Sequence, residues 1–128
     1  MRSIIPRALT LLLVLFSILF VVMGLRWLVN PAGSAPQLGL TLETGAGLSS
    51  QVGDLSAFFL VAGLSGLIAL VSRNRIWFYP PAMLLLFAAS GRTVAWVVHG
   101  ADFALQSIVF EILVASLFLI GSKFLAER

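Results

Sequence analysis

The chain is expected to be an all-α integral membrane protein, a single four-transmembrane-helix antiparallel bundle with both termini cytoplasmic, and three observations predict this. Of its 128 residues, 60% are hydrophobic and only 10% are charged, where a soluble domain carries about 25% charged residues. The apolar residues gather into four runs, each near the ~20 residues a helix needs to cross a hydrocarbon core. Six of the eight basic residues (Arg2, Arg7, Arg73, Arg75, Lys123 and Arg128) fall on one side of a four-span arrangement. The connections on the other side carry only Glu43, Asp54 and Asp102 as charges. The positive-inside rule then places both termini in the cytoplasm.

The first span is read over residues 4–29, with Pro6 tolerated in the first turn and Asn30-Pro31 as its stop. A signal peptide is the competing reading, since Ala32-Gly33-Ser34-Ala35 resembles a cleavage site, but the apolar run is too long for a 7–15-residue signal core. Residues 30–53 are expected as a polar, Gly-rich external loop, long for a connection, in which Leu38, Leu40 and Leu42 alternate with smaller or polar residues. A functional lid and a disordered excursion both fit such a loop. The second span is read over 54–72. Asp54 at its start suits the positive end of the helix dipole, and capping is its preferred role. Ala62, Ser65, Gly66 and Ala69 recur at helical spacing there and let helices approach closely.

Arg73-Asn74-Arg75 forms a basic turn, Trp77 and Tyr79 follow at an interface, and Pro80-Pro81 opens the third span, read over 77–99. The fourth span is read over 103–124. Trp27 and Trp96 lie near the opposite boundary from Trp77, which makes an aromatic belt on each side.

Composition also excludes functions. A net charge of +3 invites a nucleic-acid reading, yet no basic stripe is interleaved with aromatics, so no nucleic-acid partner is expected. The absence of cysteine excludes disulfides, thiolate nucleophiles and thiolate-bound metals. The single histidine, His99, excludes a multi-histidine metal site within one chain. Neither metal nor cofactor is expected.

Chemistry centres on Arg92, a guanidinium inside the third apolar run. A charge at a helix centre costs about 2.5–3.5 kcal/mol on insertion scales, so such a residue faces inward and has a partner. Glu111 is the one acid deep in another apolar run. At 1.5 Å per residue Arg92 lies about 10 Å below the outer boundary, counted from His99, and Glu111 about 13 Å below it, counted from Asp102. Consecutive antiparallel helices with a tight connection are normally neighbours, so an intramembrane Arg92–Glu111 ion pair is expected. Arg92, Trp96 and His99 share one stripe, with Ala88 below; Ala104, Ser107, Glu111, Ala115, Phe118 and Ser122 share another. Ser107 could give Glu111 a second hydrogen bond. Arg26 lies about 200° around the helix from Gly24 on the small-residue line Thr10-Ser17-Gly24, so it is expected to snorkel rather than join the pair.

Two readings of the pair stand. It fixes helix register and nothing else, as buried pairs often do, or it is the polar floor of an outward-opening crevice, because intramembrane ionisable residues are functional candidates by default. On the second reading the ligand-binding candidates are Arg92, Trp96, His99, Phe103, Asp54 and Ser107. His99 and Asp102 are merely close in sequence, no catalytic motif is present, and no enzymatic activity is expected.

Gly24-Leu25-Arg26-Trp27-Leu28-Val29-Asn30-Pro31, Asp54-Leu55-Ser56-Ala57-Phe58-Phe59-Leu60, Gly91-Arg92 and Glu111 together resemble a small bacterial four-helix membrane family, domain of unknown function family 4345. The resemblance covers nearly the whole chain through short, mostly apolar motifs. It implies a four-span bundle in the bacterial inner membrane with Asp54, Arg92 and Glu111 as its polar positions, and it implies no activity. Two roles are therefore expected: binding of a lipid-like amphiphile in an outer-leaflet crevice above the pair, or an accessory or structural subunit. The latter packs on another membrane protein or on itself through small-residue faces. Transport ranks last, because the inner half of the spans offers little polarity beyond Thr10, Ser17, Ser65 and Ser122.

Overall fold

A computed structural model describes residues 4–128; Arg2, one of the basic residues behind the expected orientation, lies outside the described residues. The chain forms α1 (Ile4–Val29), α2 (Pro31–Ser34), α3 (Gly45–Ser72), α4 (Tyr79–His99) and α5 (Leu105–Phe124), with 3₁₀ turns at Ala35–Leu38 and Arg75–Phe78. No strand occurs among the described residues. Four helical stretches are long and apolar enough to cross a membrane: α1, α3, α5, and α4 with its leading 3₁₀ turn, Arg75–His99.

Local chemistry sets the helix ends. Asn30 stops α1 and caps α2: its Oδ1 accepts from the Gly33 N–H at 3.1 Å, with Pro31 in the first helical position. Gly100 ends α4 in the left-handed region at φ 72°, where a side chain would be strained, and its N–H returns to the Ala95 carbonyl. Arg73 ends α3 in the same region at φ 53° without being glycine. It is held there from both sides, its N–H bonding Ala69 O at 2.9 Å and its carbonyl accepting from the Glu127 N–H at 2.8 Å.

The four long helices form an up-down-up-down ring in which α1 packs most extensively on α3 and α4 on α5, with α3 against α4 and α1 against α5 closing the circle. The α1–α3 seam explains why small residues recur there. Leu13, Ser17, Phe20, Gly24 and Trp27 make the buried stripe of α1. Gly63 lies so close beneath it that an added Cβ would sit 2.6 Å from Ser17 O and 2.7 Å from Val21 N. Ala62, Ser65, Gly66 and Ala69 are buried along the same face of α3. Leu85, Val114 and Phe118 fill the core on the α4–α5 side, and Phe78 closes it at the 3₁₀ turn.

Two expected boundaries move. Helix α3 begins at Gly45, nine residues before the expected start at Asp54. Glycine at 45, 47 and 53 and the Ser49-Ser50 pair are weak helix formers and read as loop. Against that, Leu48, Val52 and Leu55 recur at i, i+4, i+7 on one half-buried face. The Gln51 side chain also pins the preceding loop segment, accepting from Glu43 N–H and donating to Thr41 O, both at 2.9 Å. Asp54 is consequently an exposed mid-helix residue and caps nothing. Helix α5 begins at Leu105, two residues after the expected 103, which leaves Phe103 in the connection. The expected loop of 30–53 is thereby reduced to α2, a 3₁₀ turn and the short piece 39–44.

Charge separates the two ends of the bundle. Arg7, Arg73, Arg75, Lys123 and Arg128, with one acid, Glu127, gather at what is here called the basic end; Arg26, Glu43, Asp54, His99 and Asp102 gather at the acidic end.

Candidate functional site

Helix α4 carries Leu85, Ala88 and Arg92 at i, i+3, i+7, one face turned into the ring. Helix α5 answers with Ser107 and Glu111 at i, i+4. Because the two helices run antiparallel from a short connection, Arg92 and Glu111 meet: Arg92 Nε donates to Glu111 Oε1 at 2.9 Å. Their side chains are 35% and 8% exposed, so the carboxylate is buried while the guanidinium is partly open. Only Nε of Arg92 is bonded among the described residues, which leaves the two terminal nitrogens free.

What they face is a half-open cavity of about 390 Å³ lined by all four long helices, within the 300–1,000 Å³ range typical of ligand pockets. Its wall is aromatic. Phe20 of α1 stacks on Phe59 of α3 at 6.2 Å between centroids and meets Phe110 of α5 edge-on at 6.3 Å; Phe58 meets Phe59 edge-on at 5.2 Å. These separations and tilts are the ones aromatic pairs prefer, so the rings hold one another in place. Gln106 and Ser107 add polar groups beside the pair, and Leu38 of the 3₁₀ turn after α2 forms part of the wall on the loop side. That turn is tied down by Arg26, whose Nη1 donates to Gln37 Oε1 at 3.2 Å.

Of the residues expected at the site, Arg92, Glu111 and Ser107 line this cavity and four do not. Trp96 sits one turn beyond Arg92, about 6 Å further along the axis, where it is exposed and packs on Phe103 at 4.4 Å. Phe103 can reach it because α5 starts late and the connection folds back. His99, the last residue of α4, and Asp54, on the outer face of α3, are exposed. Ser107 lines the cavity without bonding Glu111, whose hydrogen bond comes from Arg92. Arg26 serves the loop and is not part of the wall.

Nothing in the sequence marks these four phenylalanines as one wall, although depth points to Phe20 and Phe110. Phe20 lies nine residues before the end of α1 and Phe110 adjoins Glu111, which puts both near the level of the pair at 1.5 Å per residue. Among the described residues no three His, Cys, Asp or Glu side chains come together as a metal site. The arrangement offers hydrogen-bond donors at the edge of an apolar chamber, with no base placed against a nucleophile: His99, the one histidine, is outside the wall. No family model, curated protein or solved structure matches this chain.

Proposed function

We propose that the chain is a multi-pass protein of the bacterial inner membrane that holds a lipid-like amphiphile in the cavity beside Arg92 and Glu111. The observation that carries this is the pairing of an aromatic-walled chamber of about 390 Å³ with a guanidinium whose terminal nitrogens have no protein partner among the described residues. Arginine offers several donors in a fixed fork, so it suits a carbonyl or an anionic headgroup oxygen, while the apolar body of the ligand lies among the phenylalanines. Glu111 holds the guanidinium in place and offsets its charge. The division of charge between the two ends supports an orientation with the basic end, and with it both termini, in the cytoplasm, and the cavity then lies toward the outer leaflet. The family resemblance at Gly24–Pro31, Asp54–Leu60, Gly91-Arg92 and Glu111 belongs to the same reading.

The competing role, an accessory subunit or homo-oligomer joined through small-residue faces, has less support. Ala62, Gly63, Ser65, Gly66 and Ala69 are already buried against neighbours inside the bundle. Native mass spectrometry of gently purified wild type and Arg92→Gln tests the proposal. An amphiphile retained by the wild type and lost from the variant is expected; an empty wild type in stable complex with another membrane protein would favour the accessory role.

A further inference from the structure

A second, separate concavity lies at the basic end. It measures about 480 Å³ and runs between the first turns of α1 and the C-terminal end of α5, with Arg7, Thr10, Val14, Arg73, Phe124 and Leu125 among its walls. We infer that this groove binds an anionic phospholipid, with the phosphodiester between Arg7 and Arg73 and the start of an acyl chain along Val14 and Phe124. The inference rests on reading the long helices as membrane spans and is independent of the cavity at Arg92.

The order of chemistry along the groove carries it. Arg7 to Val14 covers about 10 Å of helix axis, passing from a guanidinium through the Thr10 hydroxyl to aliphatic side chains. A phospholipid presents the same sequence of phosphate, glycerol ester and hydrocarbon. The mouth is built rather than incidental, since the Arg73 backbone is clamped by Ala69 and by the C-terminal turn through Glu127. Arg73 Nη1 also bonds Glu127 Oε1 at 3.0 Å. Glu127 is the one acid at this end against five basic side chains, and Arg7 has no ion-pair partner among the described residues. The mouth therefore keeps a positive charge that a zwitterionic headgroup does not match, and basic pockets at the cytoplasmic ends of helices are a known means of holding anionic lipid. A free phosphate would fit the two guanidiniums but leave the apolar half uncovered, so the lipid is the occupant assigned.

The test uses the full chain in nanodiscs of equal parts phosphatidylglycerol and phosphatidylcholine, released in a mass spectrometer, as wild type, Arg7→Gln, Arg73→Gln and Arg26→Gln. The wild type is expected to retain phosphatidylglycerol in preference. Arg7→Gln, an exposed first-turn change that leaves the fold alone, should lower that preference by about fivefold, and Arg73→Gln likewise, while Arg26→Gln, at the opposite end of the bundle and in neither cavity wall, leaves it unchanged. Excess inorganic phosphate should not displace the lipid; displacement would overturn the lipid assignment in favour of a simple anion site. Equal retention of the two lipids by the wild type, or an unchanged preference in Arg7→Gln, would overturn the groove alone. Failure of the chain to enter nanodiscs would overturn the membrane reading and this site with it.

Discussion

Removing one member of the Arg92–Glu111 pair should cost unequally, and the structure says which way. Arg92→Leu strands a carboxylate that is 8% exposed, close to the fully buried case, where an unpaired charge costs about 3–5 kcal/mol. Glu111→Leu instead leaves a guanidinium that is 35% exposed and already opens into a chamber able to admit water. That loss should be smaller, about 1–3 kcal/mol once the exposure is discounted. The double change removes both charges and substitutes apolar volume, which for buried pairs is often neutral, so it should lie within about 1 kcal/mol of wild type. The folded fraction of the four proteins, titrated from mild to denaturing detergent, reads these values directly. At 1.4 kcal/mol per tenfold, Arg92→Leu should shift the folded-to-unfolded ratio by about a hundredfold or more. A double variant as unstable as the sum of the singles would refute the coupling. A Glu111→Leu that costs more than Arg92→Leu would refute the burial argument.

Two further outcomes follow from packing and charge. Gly63→Ala should destabilise by about 1–3 kcal/mol, because two of the three atoms nearest its new Cβ belong to the α1 backbone and cannot rotate away. Gly91→Ala, with nothing within 4 Å of its added Cβ, should be neutral or stabilising by up to about 1 kcal/mol; equal unfolding midpoints for the two variants would remove the seam from the account. A periplasm-active reporter fused after Arg128 should be silent, and one inserted between Gly39 and Leu40 should be active. The opposite pattern would invert the orientation proposed from the charged ends.

The helices that the sequence predicts well are those with strong punctuation. Asn30-Pro31 closes α1, Pro80-Pro81 opens α4 and Gly100 closes it, and these boundaries fall within a few residues of expectation. Helix α3 lacks such a mark at its start. Its first two turns are glycine- and serine-rich, and only the faint Leu48-Val52-Leu55 period betrays them, so Asp54 looks like a cap when it is a mid-helix surface residue. The pair was legible because a charge in an apolar run is costly, which forces it inward toward a partner. The chamber was not legible, since in a chain apolar on every face a phenylalanine reads the same whether it faces the ring or faces away. Phe20 is 1% exposed and Phe87 is 73% exposed, and both are flanked by aliphatic residues. Trp96 is displaced for a related reason: sharing a stripe with Arg92 fixes direction around the helix but not height, and one turn of height takes Trp96 out of the cavity, while Phe103 stays out because α5 begins at Leu105.

The space beside Arg92, and not merely the charge of the pair, is what we propose holds the amphiphile. Ala88 lies one turn below Arg92 on the cavity wall and is only half-buried, so Ala88→Phe should block the part of the chamber beside Arg92 while leaving the Arg92 Nε–Glu111 Oε1 bond intact. The measurement is native mass spectrometry of gently purified wild type and Ala88→Phe, at matched folded yield. Loss of the retained amphiphile from the variant is predicted. Equal retention by both proteins would place any bound molecule outside this cavity and contradict the account.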